Sequence, residues 1–347
     1  MRPSTSIAGT GTRVVPLEDS RTNEPIDSAG THRLVITGIT GTLGRNLLEE
    51  LRGWSQCKIL ALVRPSSRLA KELGEVSHRR IDFFDKDAIT AVLTEFQPTC
   101  VVHCAASGME FRRPVWFDMV RFNVDVSLNL CESVSHIAGC RFAYISTGLA
   151  YRDQGRALRE DDALDTQHPY GASKAAADIL VRSAAAEFGV PLTVFRPFSF
   201  SGLGDSSSRL FPSLLRAALA KQPFPMTAGD QVRDHCAASD IAHAIAQSIQ
   251  HGPEAGQAAR IFNLGSGSSE PLRPLIERVV QELGLEVSLQ FGARSLSQFE
   301  PRHLVADIAA AQAGLNWRPR HNFAFAIWQL ARESFPALEV RRPREWL

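Results

Sequence analysis

No two cysteines in this sequence have the C-x-x-C spacing that zinc sites and redox-active disulfides use. Several of them lie within apolar runs, where a free thiol behaves as a small hydrophobic side chain. We therefore expect reduced, structural cysteines with no disulfide and no metal site. The six are Cys57, Cys100, Cys104, Cys131, Cys140 and Cys236.

Long hydrophobic runs and an excess of one charge are also missing. No apolar stretch is long enough to span a bilayer, and the first residues contain no compact apolar segment of the kind that signal peptides have. The 38 basic and 37 acidic residues give a formal net charge of +1, which would not attract nucleic acid or an anionic membrane. We expect a cytoplasmic protein that acts on a small molecule and has no nucleic-acid or membrane partner.

From Arg33 onward, short apolar runs alternate with segments of helical period. Strands that are apolar throughout and alternate with helices are typical of a parallel sheet buried on both faces. The pattern predicts an α/β protein with a doubly wound parallel sheet, which is a Rossmann fold. The predicted strands cover residues 34–37, 59–63, 101–104, 142–146, 192–195 and 261–264. The main predicted helices cover residues 44–52, 87–96, 125–138 and 173–188.

The composition differs before and after this alternation. The first residues are rich in Ser, Thr, Gly and Pro and show no period, which predicts a flexible tail. Later segments carry more Pro, Gly and Ser, with short predicted helices at 212–220 and 272–283, and we expect them to form a smaller lobe. The expected divisions are a tail of residues 1–32, a dinucleotide-binding domain of residues 33–198 and 232–264, and a substrate-binding lobe of residues 199–231 and 265–347.

The first predicted strand runs directly into a glycine-rich turn, and a predicted helix follows the turn. Its glycines suit three tasks: a tight turn, close approach to a pyrophosphate, and close packing of helix on strand. The helix N-terminus adds unpaired N–H groups and a positive dipole end for phosphates. Glycines also make ordinary loops, but the strand-turn-helix context favours dinucleotide binding. The expected contacts are Gly38, Thr40, Gly41, Thr42, Leu43 and Gly44.

The end of the second predicted strand indicates which dinucleotide is bound. A site for NAD usually has an acidic residue there, which binds the free 2′-hydroxyl of the ribose. This chain has Arg64 and Arg68 in that region, with no carboxylate between them. Arginine suits a 2′-phosphate, so NADP(H) is favoured and NAD(H) is the alternative. The other interpretation is that Arg64 only stacks on the adenine.

Asp82 and Phe83 follow the third strand and are the expected adenine contacts. The Asp82 carboxylate could accept a hydrogen bond from the adenine amino group. Alternatively, Asp82 caps the next turn of the chain.

Tyr170 and Lys174 are one helical turn apart and therefore lie on one face of an Ala-rich predicted helix. A phenol with a pKa near ~10 is a poor acid or base at neutral pH, but a nearby ammonium stabilises the phenolate and lowers that pKa. Thr147 follows a predicted strand, at the sheet edge where ligands bind in such folds. The glycine turn, the Ser-Thr strand end and Tyr-x-x-x-Lys, in this order, predict an acid/base site.

The motifs of the chain resemble those of the extended short-chain dehydrogenase/reductase family, which contains nucleotide-sugar epimerases, dehydratases and ketoreductases. The similarity extends from Arg33 to about Arg320. It implies the Rossmann fold and hydride transfer that depends on NAD(P). The motifs are TGITGTLG, VVHCAAS, FNVDVSLNL, YISTGLAY, YGASK, RPFSFSGLG, QVRDHCAASDIAHAI, FNLGSG and ADIAAAQAGLNWRPR.

The resemblance implies a role for each matching residue. Tyr170 would be the proton donor or acceptor, Lys174 would tune it, and Thr147 would bind the reacting carbonyl oxygen. Arg233 would contact a nucleotide diphosphate, although an ion pair with Asp234 is the alternative. The remaining implied positions are Asn123 for structure and a water relay, Ala105 and Ala106 beside the nicotinamide, and Ser107 and Ser199 in the substrate site.

Three departures from the family pattern limit the expected activity. Dehydratases of the family carry Asp-Glu after the catalytic Thr, whereas this chain has Gly148 and Leu149, so we do not expect elimination. Ser199 stands where epimerases often have Asn, which removes one amide from the substrate pocket. The second phosphate-binding arginine of the family is not clearly aligned, since Arg294 and Arg302 are both near its position.

Several functions remain open at this point. The favoured one is reduction of a keto sugar nucleotide by NADPH, because Arg64 suits a 2′-phosphate and Arg233 suits a diphosphate. The alternatives are an epimerase that keeps its NAD⁺ tightly bound, and a reductase of non-sugar carbonyls. A cofactor-sensing protein without chemistry is not favoured, because Tyr170 and Lys174 are both present. Family members often dimerise through the helices that carry Asn123 and Tyr170, so we expect a homodimer.

Overall fold

The structure is a computed structural model that describes residues 31–67, 76–108, 115–253 and 257–346. Most of the predicted tail, residues 1–30, lies outside the described residues, as does Arg68. The strands are β1 (His32–Thr37), β2 (Cys57–Val63), β3 (Ser77–Arg80), β4 (Cys100–His103), β5 (Arg141–Ile145), β6 (Leu192–Pro197), β7 (Ser199–Ser201), β8 (Phe224–Pro225), β9 (Val232–Arg233), β10 (His235–Ala237), β11 (Arg260–Leu264), β12 (Glu270–Pro271), β13 (Leu289–Gln290) and β14 (His303–Leu304).

Helices connect these strands. They are α1 (Thr42–Leu51), α2 (Lys86–Phe96), α3 (Trp116–Val120), α4 (Val126–Ser135), α5 (Pro169–Phe188), α6 (Leu210–Leu219), α7 (Ala238–His251), α8 (Leu272–Leu283), α9 (Ala309–Leu315) and α10 (Phe323–Ser334). A π-helical turn, Arg121–Asp125, joins α3 to α4, and a short 3₁₀ turn, Gly148–Ala150, follows β5.

The central sheet has seven parallel strands in the spatial order β11-β6-β5-β4-β1-β2-β3. The chain builds outward from β1 in one direction through β2 and β3, and in the other through β4 to β11. The order therefore reverses between β1 and β4, where Val35 pairs with Val101. In open parallel sheets, ligands bind outside the carboxyl ends of the strands at this switch point. The predicted doubly wound fold is confirmed.

Both faces of the sheet are covered by helices. Helices α1, α7 and α9 pack on the face to which Leu34 and Ile36 point. Helices α2, α4 and α5 pack on the face to which Val35 points. Because neighbouring strand residues point to opposite faces, and both faces are apolar, the strands have continuous apolar runs rather than an alternating pattern.

Two differences from the predicted elements have simple physical causes. The strand β3 has the sequence SHRR, and its polar side chains are tolerated because it forms the edge of the sheet. Because β3 contains no apolar run, it is missing from the predicted strand ranges, and the sequence indicated it only as the third strand that precedes Asp82. The first strand begins at His32, one residue inside the predicted tail.

A second apolar cluster lies outside the central sheet. It is formed by α6, α8 and α10, with small sheets of two or three short strands beside them. The three helices come from the segments that we assigned to a substrate-binding lobe, whereas β9 and β10 of the small sheets come from residues 232–264, which we assigned to the dinucleotide-binding domain. The division into domains stays a prediction. Among the described helices, none is long and apolar enough to cross a membrane.

Candidate active site

The glycine-rich turn after β1 packs against the end of β4. Gly38 has a φ of +70°, and a Cβ atom there would lie 2.5 Å from the Ala105 backbone nitrogen. A Cβ on Gly44 would overlap the Gly38 carbonyl. A Cβ on Gly41 would be only in ordinary van der Waals contact, 3.4 Å from the Gly38 carbonyl oxygen, so the turn is open at this position. The first and third glycines are thus required by packing, and the second leaves room for a ligand.

The start of α1 presents backbone N–H groups beside this opening. Gly41 is the N-cap residue and supplies no side chain to satisfy them. Thr42 does not cap the helix either, since its hydroxyl donates to Asp205 at 2.9 Å. Thr40 is half-buried, while the Leu43 side chain lies in the core, so Leu43 could meet a ligand only through its backbone.

The turn after β2 is exposed and carries positive charge. The Arg64 guanidinium is solvent-accessible and lies 5.9 Å from the centre of the Phe122 ring. Arg80 donates to the carbonyls of Pro65 at 2.7 Å and Ser67 at 3.0 Å, and so holds the shape of the turn. Both guanidinium groups lie near this turn, where the sequence predicts the adenosine ribose.

Asp82 and Phe83 differ in how far they are open to a ligand. The Asp82 carboxylate is exposed and accepts the Phe84 N–H at 3.0 Å, which is the turn-capping contact given above as the alternative. The Phe83 ring is buried in the core layer below α2 and α4. Only its backbone could therefore face an adenine.

Tyr170 and Lys174 lie in the first two turns of α5 and are almost fully buried, at 8% and 1% exposure. His168 caps this helix, with Nδ1 accepting the Gly171 N–H at 3.3 Å. Burial raises the pKa of Tyr170 to about 12, so the expectation that the nearby ammonium lowers this pKa is wrong for the dinucleotide-free protein, because desolvation of the phenolate outweighs the neighbouring positive charge. Burial also lowers the pKa of Lys174 to about 7, although the Asp178 charge opposes the change.

The Lys174 ammonium has no hydrogen-bond acceptor among the described residues. Its nearest aromatic neighbour is the ring of Tyr144, whose centre is 4.3 Å from Nζ. A buried ammonium without an acceptor is costly, so such a group indicates a ligand that supplies oxygen atoms. This orphaned ammonium and the open glycine turn both fit a nicotinamide dinucleotide with its ribose hydroxyls at Nζ.

Thr147 follows β5 and is nearly buried, at 6% exposure. Its Oγ1 accepts the Leu149 N–H at 3.2 Å and so caps the 3₁₀ turn. The hydroxyl proton remains available for another acceptor. A Cβ on Gly148 would lie 2.8 Å from the Phe198 ring, so larger residues do not fit beside Thr147 without movement.

Asn123 lies in the π-helical turn and is completely buried. Its amide accepts from the Ser107 N–H at 2.8 Å and donates to the Ser107 carbonyl at 2.9 Å. It also donates to Ser173 Oγ at 2.8 Å. Both predicted alanines precede Ser107. The Ala105 N–H is bound to Thr37 Oγ1 at 3.2 Å, whereas Ala106 is exposed.

Arg233 is nearly buried and forms an ion pair with Glu300 at 2.8 Å. It also donates to the Pro301 carbonyl at 2.7 Å. The alternative pairing of Arg233 with Asp234 is wrong. The Asp234 carboxylate is turned to backbone N–H groups instead, among them those of Gly267 at 3.0 Å and Ala306 at 3.1 Å.

A cavity of about 180 Å³ opens beside Arg233, between the short strands β7, β9 and β10 and the starts of helices α6 and α8. It includes the predicted residue Ser199, whereas the exposed Arg294 and Arg302 do not line it. The lining residues are Ser199, Phe200, Ser201, Asp205, Arg209, Leu210, Phe211, Arg233, His235, Leu272 and Glu300.

Four ionisable groups of this cavity were not predicted from the sequence, namely Asp205, Arg209, His235 and Glu300. Arg209 pairs with Asp205 at 2.5 Å, and Asp205 also accepts from Thr42 of the glycine turn. Burial and the neighbouring arginines lower the pKa of His235 to about 3, so its ring is neutral. Glu300 is the partner of Arg233 described above. Because most of these groups come from separate segments, no spacing along the sequence links them. The polar residues between 199 and 209 were the available sequence signal for this cavity.

The protein-family model described as "NAD dependent epimerase/dehydratase family" matches residues 34–265. That range begins in β1 and ends directly after β11, so it includes all strands of the central sheet.

Characterised relatives include both epimerases and reductases. The chain is 28% identical to a UDP-glucose 4-epimerase from Corynebacterium glutamicum over 272 residues, which cover 72% of this chain and 80% of the relative. It is 26% identical to a GDP-6-deoxy-D-mannose reductase from Pseudomonas aeruginosa, over 83% of this chain and 92% of the relative.

Solved structures share the fold. A UDP-glucose-4-epimerase from Stenotrophomonas maltophila, with bound NAD and formylated UDP-arabinopyranose, superposes with a TM-score of 0.79 at 20% identity, covering 88% of this chain and 100% of that chain. A UDP-glucuronic acid 4-epimerase from Bacillus cereus, in complex with UDP-glucuronic acid and NAD, gives 0.74 at 21% identity, with 86% and 98% covered. At these identities the likeness establishes the fold.

Proposed function

Because the chain belongs to the NAD dependent epimerase/dehydratase family, we propose that it is an NAD(P)-dependent oxidoreductase that acts on the sugar of a nucleotide sugar. Membership of this family confirms the resemblance of the motifs to the extended short-chain dehydrogenases/reductases. The observation that carries the proposal is the orphaned Lys174 ammonium, one helical turn from a buried Tyr170.

The residues that would hold the dinucleotide lie at the switch point of the sheet. Gly41 and the N-terminus of α1 would bind the pyrophosphate through backbone N–H groups. Lys174 would donate to the nicotinamide ribose hydroxyls. When bound, the nicotinamide supplies hydride exchange with a substrate carbon.

The chain's own acid/base chemistry centres on Tyr170. A pKa of about 12 keeps the phenol protonated at neutral pH, which suits a proton donor. Thr147 would donate its free hydroxyl proton to the same substrate oxygen and orient it. As negative charge develops on that oxygen, the Tyr170 proton moves to it, and the Lys174 charge stabilises the phenolate that is left.

The cavity beside Arg233 would hold the nucleoside diphosphate. Arg233 and Arg209 each bring a guanidinium to it, although carboxylates pair with both. Ser199 offers a hydroxyl, and the backbone of Ser107 is held at the switch point by Asn123. The relatives that act on UDP and GDP sugars support this substrate class.

For the direction of the reaction, we propose reduction of a keto group with NADP(H). Arg64 and Arg80 lie near the turn after β2, and the turn itself carries no carboxylate for a free 2′-hydroxyl. The P. aeruginosa reductase supports reduction as the direction. The second candidate is epimerisation with NAD⁺, which the C. glutamicum epimerase favours. Elimination is not proposed, since Gly148 and Leu149 offer no acid or base.

The test separates these two candidates. The protein is purified without added dinucleotide and denatured, and any dinucleotide that is released is identified. An empty protein that then binds NADPH more tightly than NADH, and oxidises it with a keto sugar nucleotide, supports the reductase. Stoichiometric NAD⁺ together with interconversion of UDP-glucose and UDP-galactose would overturn it in favour of the epimerase. Absence of either activity across UDP, GDP and dTDP sugars refutes the substrate class.

We also propose a homodimer formed by α4 and α5. Ile179 and Leu180 on α5 are about half exposed, as expected of apolar side chains that a second copy would cover. Sedimentation equilibrium of the purified protein tests this, since a monomer at micromolar concentration would contradict it.

A further inference from the structure

His103 ends β4 in the middle of the sheet, and its side chain is completely buried. Its Nδ1 lies 2.7 Å from Thr37 Oγ1 at the end of β1. Its Nε2 lies 3.1 Å from Ser127 Oγ on α4. The ring therefore bridges the strand before the glycine turn and the helix after the π-helical turn. None of the proposed steps uses it.

The proton positions along this bridge follow from the number of donors that each group has. The Ser127 hydroxyl has one proton and donates it to the Asn123 carbonyl at 2.6 Å. Its contact with His103 therefore requires an N–H on Nε2. A neutral imidazole has one N–H, so Nδ1 accepts the Thr37 hydroxyl proton. The Thr37 oxygen in turn accepts the Ala105 N–H at 3.2 Å.

The ring is neutral for two reasons. Burial, together with the charge of Lys174, holds the pKa of His103 well below its ordinary value. A protonated ring would also place an N–H against the Thr37 hydroxyl proton. Every donor in the resulting chain points the same way, and hydrogen bonds aligned in this manner polarise and strengthen one another. This hydrogen-bond chain runs from the Ala105 N–H through Thr37, His103 and Ser127 to the backbone carbonyl of Asn123.

The two ends of this hydrogen-bond chain lie at the two halves of the proposed active site. Ala105 packs directly against Gly38 of the glycine turn. At the other end, the Asn123 side chain donates to Ser173, and the Ser173 hydroxyl donates to the Tyr170 carbonyl at 2.8 Å. Hydrogen bonds, joined through the residue Asn123 itself, which accepts with its backbone carbonyl and donates with its side-chain amide, thus connect Thr37 before the glycine turn with the first turn of α5.

We propose that His103 is a positioning residue, which fixes the separation between the glycine turn and Tyr170 through this hydrogen-bond chain. The inference rests on the proposed function, in which a dinucleotide on the turn and the Tyr170 hydroxyl act on the same substrate. A neutral imidazole suits the task because it places a donor and an acceptor on opposite sides of a rigid ring, without a charge near Lys174. Misplacement of reacting groups by about 1 Å costs roughly 10²-fold in rate.

The first test does not depend on activity. Nitrogen-15 spectra of the histidine side chains, with His103 assigned by its loss in His103→Gln, report which ring nitrogen carries the proton. We expect His103 to be the neutral Nε2–H form and to remain so from pH 6 to pH 8. A ring protonated on Nδ1, or one that titrates in this range, would overturn the hydrogen-bond chain.

The second test removes one donor. Thr37→Val keeps the shape of the side chain but leaves His103 Nδ1 without its proton donor, and Thr37→Ser restores the hydroxyl. Thr193→Val, a buried change in β6 outside the site, is the matched control. We expect Thr37→Val to lower kcat by about 10- to 100-fold, with less than about 3-fold change in the dissociation constant for NADPH or NADH. Thr37→Ser should recover most of the rate.

Equal kcat in Thr37→Val and Thr37→Ser would refute the positioning role. If Thr37→Val does not fold, Ser127→Ala breaks the same chain from its other side and takes its place. If the wild type proves to have no oxidoreductase activity, the proposed function fails, but the hydrogen-bond chain can still be tested. Binding of NADH should then shift the Tyr170 amide resonance in the wild type and shift it less in Thr37→Val, and equal shifts would refute the coupling.

Discussion

Replacing Lys174 by Met should stabilise the protein while destroying its activity. In the folded state, burial lowers the pKa of Lys174 to about 7 from the ordinary 10.5. Between these two values the unfolded chain binds more protons than the folded protein, so the free energy of unfolding rises with pH across that window. Below pH 7 both states are charged, and the folded protein bears the full cost of a buried ammonium.

The size of this cost follows from the two pKa values. They correspond to about 4 kcal/mol at pH 7, at about 1.4 kcal/mol for each pKa unit. Methionine has a similar length and no charge, but it loses the cation–π contact with Tyr144, and relaxation around the ammonium lowers the cost. We therefore expect Lys174→Met to raise the free energy of unfolding by about 1–3 kcal/mol at pH 7.

Urea unfolding of dinucleotide-free protein at pH 6.5, 8 and 9.5 measures the effect. The gain in Lys174→Met should be largest at pH 6.5 and shrink toward pH 10.5, where the lysine is neutral in the folded protein and half protonated in the unfolded chain. Lys58→Met, on an exposed side chain of β2, is the matched control and should show no such pH dependence. A Lys174→Met protein that is less stable than the wild type at pH 6.5, or a gain independent of pH, would refute the reasoning.

Three further predictions concern activity and binding. Tyr170→Phe should bind dinucleotide normally and lose at least about 10²-fold in kcat, because a positioned acid/base contributes that much; full turnover would refute its role. Arg64→Asp should invert the NADPH/NADH preference in steady-state kinetics, and an unchanged ratio would show that Arg64 does not hold a 2′-phosphate. Glu300→Gln frees Arg233 and should tighten UDP binding by about 2- to 5-fold in calorimetry, whereas Glu270→Gln should not; weaker binding would mean that Glu300 itself contacts the ligand.

Local patterns made some of the candidate site predictable from the sequence. The glycine turn requires small residues at fixed positions between a strand and a helix, so its spacing is visible in the chain. Tyr170 and Lys174 are likewise one turn apart on a helix whose composition favours helix formation. The edge strand β3 is polar and lacks this kind of signal.

The cavity residues Arg209, His235 and Glu300 could not be predicted in the same way. Each lies in a different segment after β6, and they meet only where the fold brings the start of α6, strand β10 and the segment around Glu300 together. The ion-pair partner of Arg233 also could not be predicted from the sequence. Its sequence neighbour Asp234 is the simplest expectation, but the strand β9 turns Asp234 toward backbone N–H groups and leaves Arg233 to Glu300.

The sequence alone determined the doubly wound sheet, the glycine turn and the Tyr-Lys helix, because each has a pattern that is visible along the chain: apolar strands that alternate with helices, glycines at fixed spacing, and two residues one helical turn apart. Tertiary structure alone decided the chemical state of the buried groups. Lys174 has no acceptor among the described residues because α5 packs it against Tyr144. The proposed proton on Nε2 of His103 follows from Thr37 and Ser127, which come from different elements on either side of the ring. Desolvation and the geometry of hydrogen bonds depend on every element that surrounds a side chain, and neither can be derived from spacing along the chain.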